Sequence, residues 1–200
     1  KPYFDKAFGP DAMTVDNAAK AVAAYERTLI TPNSAYDRYV KGDKKAMSEQ
    51  QVRGMNTFEA TGCTACHSGA AFNGPTLPQG TGFFMKFPTF ADNDYVKKYD
   101  FMKDLGRFDV TKAEADKHMF KVPTLRNIAL TAPYFHNGTV RALDEAVKVM
   151  AKTQINKDLS DQETADIVAF LGALTGEFPA QAMPQLPPTE GWAFEYSAVK

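Results

Sequence analysis

Both cysteines of this 200-residue chain stand in one pentapeptide, Cys63-Thr64-Ala65-Cys66-His67. The whole sequence holds only three histidines, so chance seldom puts one directly after such a pair. Two thiols three positions apart on a helical turn can each add to a vinyl group of one heme. The adjacent imidazole then lies under the iron, and this spacing is that of c-type heme attachment. Three other chemistries share parts of the pattern. A thioredoxin-like redox pair needs a βαβ setting, whereas the flanks here are helical. A four-ligand zinc site wants a second pair of soft ligands at close spacing, and there is no further Cys. A disulfide between residues three apart closes a trivial loop and adds little stability. Covalent heme is the expectation.

Composition narrows the remaining classes. The chain is 44% hydrophobic, 24% charged and 12% aromatic, the balance of a globular protein rather than a disordered tail or a fibrous repeat. A formal net charge of −1 gives no basic field for DNA or RNA, so no nucleic-acid partner is expected. The longest apolar stretch, Ile167 to Leu174, falls well short of the ~20 residues of a membrane span. Lys1-Pro2-Tyr3-Phe4-Asp5 lacks the basic-then-apolar pattern of a signal peptide.

Helices separated by loops dominate the pattern, and without sustained alternation any strands are expected to be few and short. A first helix is predicted from Val15 to Ile30, capped by Thr14, with Ala18, Ala21, Val22, Tyr25 and Leu29 on one face. Ser48-Glu49-Gln50-Gln51 is a capping box opening a helix through Val52, Met55 and Phe58 to about Gly62. The segment from about Gly69 to Asp109 is predicted as a long aromatic-rich loop. Thr111-Lys112-Ala113-Glu114 resembles a second capping box, for a short helix toward Met119. Leu143, Ala146, Val147 and Met150 fall at i, i+3, i+4 and i+7 on a helix from Ala142 to Lys152. Ser160-Asp161-Gln162-Glu163 caps the last helix, which carries Ile167, Val168, Phe170, Leu171 and Leu174. From Phe178 onward a Pro-rich irregular tail is predicted.

The second axial position of the iron decides the chemistry. Closed by Met, a heme has a raised potential and transfers electrons; left open, it can bind peroxide. His118, His136, Met85, Met102, Met119 and Met150 are all candidates, and spacing does not choose among them. Each Met also suits irregular core gaps. His118 is predicted as a cation at a helix end.

The run Phe120-Lys121-Val122-Pro123-Thr124-Leu125-Arg126-Asn127 through Tyr134-Phe135-His136-Asn137-Gly138 resembles the signature of bacterial di-heme cytochrome c peroxidases. Leu143 to Met150, Ile167 to Leu171, Ala24 to Leu29 and Ser34 to Tyr39 resemble the same family, so the likeness extends to about Gly176. Members have two cytochrome c-like domains, a peroxidatic heme first and an electron-accepting heme with His and Met ligands second. The chain resembles the second half. The resemblance implies an all-α cytochrome c-like domain in which Cys63 and Cys66 hold one heme c. His67 is then the proximal iron ligand and Met150 the distal one. It also implies a calcium ion held partly by main-chain carbonyls of Thr131 and Pro133.

Two departures bear on this reading. No second Cys-x-x-Cys-His occurs in the chain, and Asn137 stands where many relatives carry Asp. Relatives that oxidise tryptophan in a partner protein tend to have Tyr at the position of Met150, so Met favours the peroxidase branch. The resulting organisation is a linking segment (1–40), a heme domain (41–176) and a tail (177–200). The implied function is to accept electrons from a small cytochrome c or blue copper protein and pass them to a peroxidatic heme domain, in the periplasm. The resemblance leaves room for a homodimer. A stand-alone monoheme electron carrier without peroxidase activity is the alternative.

Overall fold

Two serines set the central helices. Ser48 Oγ accepts from the Gln51 amide and Gln51 returns a bond to the Ser48 amide, opening α4, Glu49–Ala60. Ser160 and Glu163 do the same for α8, Asp161–Gly172. Each reciprocal pair satisfies two of the amides that a helix start leaves free. In the computed structural model, which describes residues 2–78 and 80–181, the remaining helices are α1 (Pro2–Phe8), α2 (Val15–Glu26), α3 (Ala35–Val40), α5 (Asp94–Lys98), α6 (Phe108–Thr111) and α7 (Leu143–Ile155). Two three-residue strands, β1 (Phe84–Lys86) and β2 (Met119–Lys121), pair antiparallel with Met85 opposite Phe120. Among the described residues no helix is long and apolar enough to cross a membrane.

The helical expectation, with strands few and short, holds, and this small sheet is the one strand pairing among the described residues. The long segment after the cysteines is not wholly irregular, since β1, α5 and the start of α6 lie in it. Thr111 does not open a helix. It is the last residue of α6, the left-handed Lys112 follows, and a 3-10 turn over Glu114–Asp116 leads into β2. His118 is not at a helix end but precedes β2 with φ +58°. The first predicted helix stops at Glu26 rather than Ile30, with Thr14 capping it as expected. Of the predicted tail, residues 182–200 lie outside the described residues.

The described residues fall into two compact units, one of residues 2–29 with 178–181 and the other Ile30–Glu177. The second unit contains the candidate site. One core cluster joins Met47 and Phe58 to Phe72, Ile167, Phe170, Leu171 and Leu174. Its rings meet edge to face or tilted, with Tyr36–Phe72 at 5.2 Å and Phe58–Phe170 at 5.4 Å, geometries that add about 0.5–1.5 kcal/mol per pair beyond burial. A second cluster gathers Phe87, Val96, Tyr99, Phe101, Tyr134, Val140, Ala146 and Val149. Leu143 and Ile128 pack against both, so α7 stands where the two clusters adjoin.

Candidate heme-attachment site

Helix α4 ends at Ala60 with Thr61 as its C-cap, and Gly62 follows with φ +93°, a left-handed turn that suits glycine. The chain then coils through a 3-10 turn, Cys63–Ala65. The Cys63 carbonyl accepts from both the Cys66 and the His67 amides, at 3.2 and 2.9 Å, which gathers the three side chains of the motif into a single turn. Both cysteines are free thiols, and burial pushes each thiol above its ordinary pKa. The Cys63 sulfur lies 3.3 Å from the Thr61 hydroxyl.

His67 is oriented from behind. Its Nδ1 lies 2.9 Å from the carbonyl oxygen of Phe72. A carbonyl only accepts, so Nδ1 carries the proton and Nε2 keeps a free lone pair. Burial lowers the pKa of the ring, against the opposing pull of the Phe72 and Pro123 carbonyls. The neutral imidazole is the form that binds metal. Phe72 itself has φ +53°, an unusual conformation for a bulky residue. Its ring is buried among Tyr36, Phe58 and Phe170 while its carbonyl meets His67.

A cleft opens beside this turn, its wall largely apolar. It is lined by Cys63, Cys66 and His67, and by the face of α7 that carries Leu143, Ala146, Val147 and Met150. A second lobe shares Cys66, His67 and Met150 with the first. Apolar clefts with few convergent polar groups are the usual form of a cofactor site. Two free thiols, an imidazole with an available Nε2 and a thioether thus face one apolar cleft, and that donor set fits heme c.

The structure sorts the other candidate axial ligands. Met85 and His136 line the second lobe. The His136 ring is stacked on Phe120 at 4.3 Å and 15°, and burial lowers its pKa. Met102, Met119 and His118 line neither lobe; His118 Nδ1 instead donates to the Asp104 carbonyl at 3.0 Å. Thr131 and Pro133 both line the second lobe. Among the described residues, no three His, Cys, Asp or Glu side chains are grouped to hold a metal ion.

Two contributors lie outside the motif. The Phe72 carbonyl depends on a left-handed residue that no sequence pattern announces. Gln154 sits one helical turn after Met150, lines both lobes and donates from Nε2 to the Lys86 carbonyl at 2.8 Å. Its i+4 spacing from Met150 was the available signal.

Comparison with known proteins bears on the family. The family model described as di-haem cytochrome c peroxidase matches residues 1–45. Cytochrome c551 peroxidase of Nitrosomonas europaea is 42% identical over 186 residues, 93% of this chain and 52% of the relative. Its counterpart in Pseudomonas aeruginosa is 43% identical over 188 residues, 92% of this chain and 50% of the relative. A solved MauG-like protein associated with microbial copper homeostasis superposes with a TM-score of 0.62 at 27% identity, covering 86% of this chain and 61% of that one. The chain spans about half the length of the two peroxidases. The chain belongs to the di-haem cytochrome c peroxidase family.

Proposed function

We propose that this segment is the electron-accepting heme domain of a cytochrome c peroxidase. The observation that carries the reading is that Met150 lines the same cleft as Cys66 and His67. Cys63 and Cys66 would hold the porphyrin through two thioethers, which their free thiols permit. His67 would supply Nε2 and Met150 its sulfur as ligands of the iron. Bound there, heme c supplies a one-electron couple, whose potential a Met ligand and burial both raise.

The protein's own part is to hold that couple in a dry setting. Leu143, Ala146 and Val147 exclude water from the cleft, and Phe72 keeps the imidazole proton on Nδ1. A domain closed in this way does not itself activate peroxide. It takes single electrons from a small cytochrome c or blue copper protein and passes them to a peroxidatic heme domain, where hydrogen peroxide becomes water. The setting is periplasmic. A calcium ion held in part by the main-chain carbonyls of Thr131 and Pro133 belongs to the same reading.

Expression in cells competent to mature cytochromes tests it. Intact-protein mass spectrometry should find one heme covalently attached, and the bound form should accept electrons while turning over no peroxide alone. Bare polypeptide would defeat the heme assignment, and appreciable turnover would defeat the electron-accepting role.

A further inference from the structure

The acceptor for the His67 ring proton is one of three consecutive carbonyls, and the other two are held as well. The Ala70 carbonyl accepts from Arg126 Nε at 2.9 Å. The Ala71 carbonyl accepts from the Thr124 hydroxyl at 2.6 Å. The Phe72 carbonyl is the one 2.9 Å from His67 Nδ1. Thr124 is tied to Arg126 in turn, since its oxygen accepts the Arg126 amide at 3.1 Å.

Arg126 is itself fixed on every side. Nη1 donates to Ser34 Oγ at 3.1 Å and Nη2 pairs with Asp37 at 2.9 Å. The guanidinium carbon lies 5.5 Å from the Phe72 ring centroid and 5.6 Å from that of Tyr36, within cation–π range. One planar fork therefore engages both the ring of Phe72 and the backbone two residues before it. The loop it grips is constrained, with Phe72 left-handed and Gly69 at φ +73°, a conformation that persists where surrounding contacts over-determine it.

We propose that Arg126 and Thr124 are positioning residues for the axial histidine: by holding the Ala70 and Ala71 carbonyls they fix the Phe72 carbonyl on His67 Nδ1, and so set the orientation and donor strength of Nε2. The inference rests on the heme reading above. The principle is general. A carbonyl bonded to the far nitrogen of a ligating histidine fixes its tautomer and raises its basicity, and losing such a partner typically costs 10–100-fold in metal affinity or activity. When the carbonyl drifts, His67 becomes a poorer donor and the reduced state is favoured.

The test is the reduction potential of the heme-loaded protein in three variants. Arg126→Lys keeps a cation for Asp37 but loses the fork that reaches Ala70. Thr124→Val removes the bond to Ala71, together with the one from the Arg126 amide, and leaves the Arg126 guanidinium its own partners. Asp37→Asn breaks the ion pair to α3 and leaves the carbonyls held. Arg126→Lys and Thr124→Val should each raise the potential by about tenfold in the electron-transfer equilibrium, or ~59 mV for one electron. Hydrogen exchange at His67 Nδ1, followed by NMR in the reduced state, should quicken by a similar factor. Asp37→Asn should lower thermal stability and leave the potential where it was.

An unchanged potential in Thr124→Val overturns the proposal even if Arg126→Lys fails to fold. So does an equal shift in Asp37→Asn, which would mark the effect as general loosening. Wild-type protein without covalent heme overturns the heme reading itself, a result distinct from loaded variants whose potential does not move.

Discussion

Gly54 on α4 and Asp166 on α8 lie so close that a Cβ on the glycine would sit 1.8 Å from the Asp166 carbonyl oxygen. It would also stand 2.9 Å from the Phe170 Cβ. The missing side chain lets the two helices meet, and α4 leads directly into the cysteine turn. Gly54→Ala would gain about 1 kcal/mol in helix propensity. The overlap is with backbone, which no rotamer change relieves, so the helices must part. We expect a net loss of about 2 kcal/mol or more, equal to roughly 4–8 °C in Tm for a unit of this size. Thermal unfolding followed by circular dichroism measures it, and a variant as stable as the parent would contradict the close crossing.

The start of α8 gives a smaller effect. Ser160 Oγ accepts from the Glu163 amide at 3.2 Å, and the Glu163 carboxylate accepts from the Ser160 amide at 2.9 Å. Ser160→Ala removes one arm of this exchange and should cost about 1 kcal/mol. Denaturant unfolding should show a lower midpoint with an unchanged slope. A change in the slope instead would point to an altered denatured state.

These caps were legible in the sequence because a capping box is local, and the apolar faces of α4, α7 and α8 follow at once. The Met150 face was legible for the same reason. Leu143, Ala146, Val147 and Met150 share a stripe by helical geometry alone, and all four line the cleft. Thr111 shows the limit of the pattern, for its motif has no apolar stripe behind it and the chain turns into a strand. The capping box of Ser34 and Asp37 is less legible, because Asp replaces the more usual Glu or Gln. The pairing of β1 with β2 was not legible, since three residues are too few to show alternation and their partners lie 35 positions apart in the case of Met85 and Phe120. Arg126 on the Ala70 carbonyl is likewise a purely tertiary arrangement.

Asp37 links that arrangement to pH. Burial alone would raise its pKa, but hydrogen bonds from Arg126 and Ser34 outweigh it and hold the carboxyl below its ordinary value. A carboxyl depressed in the folded state binds fewer protons there than when unfolded, so its stabilisation is complete above about pH 4. It is lost as pH falls through the lower folded value. Asp166, held low in spite of burial by Arg53 and Gln162, adds to the same acid sensitivity. Asp37→Asn should cost about 1.5 kcal/mol or more at neutral pH and flatten the acid limb of the stability profile. Chemical denaturation at a series of pH values would reveal this, and parallel profiles for variant and parent would refute it.

Met150 offers the most direct chemical test. On the proposed reading its sulfur closes the iron opposite His67, so the oxidised protein is low-spin. Met150→Ala removes the ligand and leaves a space that water can reach through the second lobe. The oxidised absorption spectrum should move toward the high-spin form. The potential should fall by at least ~0.1 V, a modest part of the ~0.8 V over which axial ligands set heme potentials. Peroxide binding should appear where the parent shows none, because the sixth position is then open. Folding is expected to survive, since Met150 is only half-buried and packs at the edge of the second cluster while lining the cleft. Retention of the parent low-spin spectrum would transfer the ligand role to another side chain of the same cleft, with Met85 and His136 the two that line it.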